Sequence, residues 1–103
     1  MMLLTQEIKT KAIKQYGEGS SFDQQVVAKF FDRAGSWTWY LMNMEDEQGD
    51  YCWGIVEGFA IEAGSFSLTE MMEVLGPRLE RDKFWTPKPA REVWEALNAG
   101  HHP

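Results

Sequence analysis

The stretch Ser36–Leu68, SWTWYLMNMEDEQGDYCWGIVEGFAIEAGSFSL, is the part of this chain that most constrains its fold. It gathers three of the five tryptophans and two of the three tyrosines. Within it, two runs rich in aromatic and β-branched residues flank the acidic segment Glu45–Asp50, where Gly49 is suited to a positive φ. That order reads as strand, hairpin loop, strand. Strands are expected over residues 37–44 and 51–61, with a short further strand over 64–67. In the first of these, Trp37, Trp39 and Leu41 alternate with Thr38, Tyr40, Met42 and Met44. Both sets are largely apolar, so both faces of the sheet should be covered. Gly54 and Gly58 fall on one face at period two, and Trp37 or Trp39 of the paired strand is expected to lie over the missing side chains.

The rest of the chain supplies the cover. Residues 5–16 read as a helix that Thr5 caps, with Ile8, Ala12 and Tyr16 at four-residue spacing and Ile13 beside them. GEGSS at 17–21 ends it. Residues 25–32, QVVAKFFD, have strand composition. Ser67-Leu68-Thr69-Glu70 matches a capping box, with Phe66 and Met71 placed as a hydrophobic staple, so a helix is expected over 68–75 and ends at Gly76-Pro77. Residues 78–89 look irregular, and a last helix over 89–98 should start with Pro89 in its first turn and bury Val93, Trp94 and Leu97. The expected class is α+β. A small antiparallel sheet of three to four strands (25–32, 37–44, 51–61, 64–67) packs with helices at 5–16, 68–75 and 89–98. Residues 1–103 form one domain, with 99–103 a flexible tail.

Charge narrows the function. Sixteen acidic residues against ten basic give a net charge of −6. A protein that grips a phosphate backbone concentrates Lys and Arg to displace counterions, so direct nucleic-acid binding is disfavoured. The leading apolar run, MMLL, is too short for a signal peptide, and no stretch has the length of a membrane span. The cytoplasm is the expected location, and no membrane partner is expected. Cys52 is the only cysteine, which rules out an internal disulfide, and its place between Tyr51 and Trp53 suits a small buried hydrophobe.

No catalytic constellation emerges. His101 and His102 are the only histidines and lie at the chain end, away from Cys52 and every serine, so a nucleophile lacks its base. No metal-ligand spacing, phosphate loop or dinucleotide fingerprint occurs, so no metal and no cofactor is expected. Glu80-Arg81-Asp82 reads as an ion-pair network that fixes an irregular segment. What stands out is surplus tryptophan. Trp, Tyr and Arg concentrate in protein interfaces, and the candidate partner-binding residues are Trp37, Trp39, Tyr40, Glu62, Glu80, Arg81, Asp82 and Trp85.

Several short motifs occur in order along nearly the whole chain: MLLT at 2–5, KFF at 29–31, WTWY at 37–40, WGIVEGF at 53–59, EAGSFSL at 62–68, LERD at 79–82 and PKP at 87–89. Together they resemble an uncharacterised family from bacterial plasmids and phages, domain of unknown function 2958. The resemblance implies a mobile-element setting and carries no activity with it. The leading expectation is a small, acidic, non-enzymatic protein-binding module, an inhibitor or modulator of host defence or DNA-processing machinery. Its partner would be another protein, one with a basic nucleic-acid-binding surface. Two alternatives stay open: a small enzyme using Glu62, Glu80 or Asp82 as acid and base, and a homo-oligomeric structural subunit.

Overall fold

Thr5 starts the first helix by accepting a hydrogen bond from the Ile8 amide at 3.2 Å, satisfying one of the donors a helix start leaves free. From there the computed structural model, which describes residues 3–103, runs through α1 (Gln6–Lys14), β1 (Gln25–Val26), β2 (Ala28–Asp32), β3 (Thr38–Met44), β4 (Cys52–Glu57), β5 (Ile61–Phe66), α2 (Leu68–Leu75), β6 (Leu79–Arg81), β7 (Lys88–Pro89) and α3 (Ala90–Asn98). Five strands form one antiparallel sheet in the order β5-β4-β3-β2-β6, and β1 pairs with β7 in a small separate ribbon. The α+β class is as the sequence indicates, with one more strand in the sheet than the three to four expected.

Strand β3 is the centre, buried at every position except Thr38. Its two apolar sets do face two cores. Phe30, Trp39, Leu41, Cys52 and Leu79 meet α1 and α2 through Ala12, Leu68, Met71 and Leu75. Tyr40, Met42 and Ile55 meet α3 through Ala90, Val93 and Leu97. The alternation breaks at one point. Met42 is an extra residue between the pairs Leu41–Gly54 and Asn43–Trp53, a β-bulge. Beyond it the pattern flips, so Met44 lies in the α1/α2 core with Leu41, where unbroken alternation put it with Tyr40.

Five further boundaries differ from the sequence reading. The expected strand 25–32 is divided at Val27, because consecutive Val26 and Val27 enter opposite cores and Val26 pairs with Lys88. The expected strand 51–61 folds back at Gly58–Ala60, where the Gly58 amide meets the Ala60 carbonyl at 3.0 Å, so β4 and β5 make a hairpin. The stretch 78–89, expected to be irregular, holds edge strand β6, which buries only Leu79 and so shows no apolar alternation. Helix α1 stops at Lys14, short of Tyr16, and Pro89 stands at the cap of α3 with Ala90 as its first helical residue.

The helix ends follow their signals. Ser67 accepts from the Glu70 amide at 3.1 Å, and Gly76 leaves α2 at φ +54°. At the end of α3 the His101 amide donates to the Ala96 carbonyl and Gly100, at φ +81°, donates to that of Leu97. This Schellman closure ties down the first half of the tail expected over 99–103.

Cys52 is fully buried, and burial pushes its thiol up to about 11, with Asp46 and Asp50 adding to the shift. Native protein should therefore resist iodoacetamide at pH 8, and the unfolded chain should react fully. The same shift fixes a sign. Between the ordinary thiol value of 9.0 and about 11, the folded state keeps a proton that the unfolded chain releases. Stability should fall as pH rises through that window, read as a falling urea midpoint.

Candidate functional site

The hairpin turn after β4 shapes an apolar surface. Gly58 has no side chain, and the Trp37 ring fills its place: a Cβ there would come within 2.6 Å of the indole. Trp37 is thereby laid beside Trp39, ring centroids 6.1 Å apart, and Phe59 at the turn tip meets Trp37 edge-on at 5.3 Å. Across from the tryptophans, α2 presents Met71 and Leu75 from its half-buried side and the exposed Val74, an i, i+3, i+4 set. Between them lies an open groove of about 380 Å³, with Asp32 and Glu70 as its acidic members.

Phe59 is 98% exposed and Val74 is 77% exposed, while Trp39 is only 8% exposed. Asp32 is held by a two-point contact from Arg78, Nε at 3.1 Å and Nη2 at 2.6 Å. That contact holds the carboxyl below its ordinary range, helped by a bond from the Ala34 amide. Glu70 has no cationic partner among the described residues.

The candidates named from sequence are dispersed. Trp37 and Trp39 line the groove. Glu62 shares their sheet face: Glu62, Val56, Trp39, Phe30 and Arg81 are successive register partners across all five strands. Tyr40 points to the opposite face, is 1% exposed and packs against Trp85, so it is a core residue with no surface to offer a partner. Trp85 acts as a rivet on that face. Its Nε1 donates to the Val26 carbonyl at 3.1 Å, and the Lys29 and Lys88 ammonium groups lie 5.8 and 4.7 Å from its ring. Glu80 pairs with Arg33, Asp82 lies 4.0 Å from Lys29, and Arg81 donates to the Leu3 carbonyl. The expected ion-pair network is instead two separate pairs, and Arg81 forms no ion pair among the described residues.

Sequence reasoning missed Phe59, Val74, Leu75 and Glu70. The α2 stripe was legible as the spacing after the capping box; Phe59 was hidden by reading 51–61 as one strand. As for acid–base pairs, Glu62 on β5 and Glu80 on β6 stand at opposite edges, four strand spacings or roughly 19 Å apart. Two carboxyl groups acting on one bond need to be within about 5–10 Å. Among the described residues, no group of three or more His, Cys, Asp or Glu is placed to hold a metal ion. No helix among them is long and apolar enough to cross a membrane.

Fold and groove together define a small α+β protein whose five-stranded sheet packs helices on both faces and carries an apolar, tryptophan-floored groove beside α2. The chain belongs to the family described as Protein of unknown function (DUF2958), whose sequence profile matches residues 3–101. No curated protein matches the chain, and no solved structure matches it.

Proposed function

We propose that this protein is a small non-enzymatic protein-binding module that takes an apolar side chain of its partner into the groove between α2 and the Trp37–Trp39 pair. The observation that carries this reading is the exposure of Phe59 and Val74 beside a tryptophan-floored cleft. Large apolar side chains held in water around a concave apolar surface are what the core of an interface requires. Glu70 in the groove, Glu62 on the same sheet face and a net charge of −6 favour a partner with a cationic rim.

The family resemblance suggests a mobile element in a bacterial cytoplasm. There the specific form is an inhibitor or modulator of host defence or DNA-processing machinery, competing with nucleic acid for a basic surface. A pull-down from bacterial lysate with wild type and a Phe59→Ala/Val74→Glu variant tests it. The expected result is a nucleic-acid-binding protein retained by wild type, displaced by added DNA or high salt, and weakened at least about tenfold in the variant. Equal retention by the variant would sink the groove. Binding indifferent to both DNA and salt would sink the basic-surface partner.

A further inference from the structure

A second cavity, of about 420 Å³, is lined by Tyr16, Gly19, Ser20, Asn43, Tyr51 and Trp53. Its chemistry is fixed by an amide relay. Gln24 Nε2 donates to the carbonyls of Gly19 and Ser21 at 2.9 and 2.6 Å, which sets the orientation of that amide. Gln24 Oε1 must then face Asn43, and it accepts from Asn43 Nδ2 at 2.8 Å. The same Nδ2 also donates to the Gly19 carbonyl at 2.9 Å. Both donors of Asn43 are consumed, and its Oδ1 receives no hydrogen bond from any described residue, although the side chain is 99% buried (1% exposed). That oxygen is not sealed off in the way Trp53 Nε1 is, so it stays open to the cavity as an acceptor for a guest.

The walls point to the same kind of guest. Tyr16 and Tyr51 stand edge to face at 6.4 Å, and Trp53 supplies a third ring. The Tyr16 hydroxyl donates to Glu45 at 3.1 Å, which pushes that phenol up and keeps its proton on the side facing the carboxylate. No Lys or Arg lines the cavity. Trp53 Nε1 has no acceptor but is closed off from solvent, so it offers nothing to a guest. The site thus presents π-electron density, an acceptor oxygen and a nearby carboxylate, all of which select a cation that carries N–H donors.

We propose that this cavity binds a protonated alkylamine, whose ammonium group donates to Asn43 Oδ1 and lies among the rings of Tyr16, Tyr51 and Trp53. The guest is either a free polyamine or the lysine side chain of a bound peptide. The probes are 1,4-diaminobutane, N-acetyl-lysine amide and tetramethylammonium chloride, each titrated into the labelled protein at constant ionic strength and followed by NMR.

Saturable shifts of the Asn43 side-chain amide, with Kd on the order of 1 mM or tighter, are expected for the primary amines. Tightest binding of the diamine assigns a free polyamine; equal or tighter binding of the lysine amide assigns a peptide side chain. Tetramethylammonium has the charge without an N–H and should bind at least about fivefold more weakly. Tyr51→Ala, at a position 45% exposed in the folded protein, should weaken the amines by at least about fivefold. Ser20→Lys, on the exposed rim, should abolish binding by placing a competing ammonium there. Linear, unsaturated shifts, tetramethylammonium binding as tightly as the amines, or wild-type affinity in both folded variants would each overturn the assignment.

Discussion

Gly54→Ala should destabilise the protein by more than about 3 kcal/mol, a large share of the roughly 5–15 kcal/mol that keeps a domain of this size folded. A Cβ at this position would stand 1.9 Å from the Tyr40 carbonyl oxygen and 3.3 Å from the Leu41 Cα. Both obstacles are backbone, and the backbone there has no room to retreat. Strand β4 is held on one side by β3 and on the other by β5, and Gly54 pairs with Leu41 immediately before the bulge at Met42. Relieving the clash would mean opening the ladder at the point where the register changes. The hairpin contains its own control. Gly64 is the register partner of Gly54 on β5, and a Cβ there meets nothing within 4 Å. Gly64→Ala should stay within about 0.5 kcal/mol of wild type. Urea denaturation of the two variants separates a steric requirement from a general dislike of alanine in the hairpin. Comparable losses in both would place the bulge geometry in error.

The contrast between Gly54 and Gly58 shows where sequence stops being legible. Both read as period-two partners facing the tryptophans, and for Gly58 the reading is right, because Trp37 lies in the vacated space. For Gly54 the reason is different. Its missing side chain admits a neighbouring main chain, which depends on a bulge that no residue in TWYLMNM announces. The bulge also moved Met44 from one core to the other, so the facing assignment failed beyond that single extra residue. Local signals that act within one turn of chain were readable: the Thr5 and Ser67 caps and the Gly76 exit all form. Edge strand β6 was not, since a three-residue strand that buries a single side chain has no alternation to display.

The candidate site was legible in its floor and not in its walls. Surplus tryptophan correctly drew attention to Trp37 and Trp39, and composition could not tell that Tyr40, next in sequence, turns the other way into the second core. The Asn43–Gln24 relay joins residues 19 apart through the fold, so neither amide looked exceptional in the chain.

Trp39→Ala should cost about 3–5 kcal/mol, and Phe59→Ala should lie within about 0.5 kcal/mol of wild type, although both aromatics adjoin Trp37 of the groove. Trp39 is 8% exposed and sits mid-row between Val56 and Phe30, so truncation leaves a cavity inside the α1/α2 core. Phe59 touches Trp37 at the turn tip and otherwise faces water. On the docking reading the order reverses for binding: Phe59→Ala should remove partner affinity at least about tenfold while the denaturation midpoint holds. The pair of measurements matters because Trp39 alone gives no answer. A Trp39→Ala variant that fails to bind has lost both the groove floor and part of the fold, and either loss explains the result. Phe59 carries no core to lose. If its truncation leaves stability and binding both intact, the exposed ring is not an anchor, and the case for the groove falls back on Val74 and Glu70. If stability drops instead, the β4–β5 turn is part of the core and its apolar tip needs no partner to explain it.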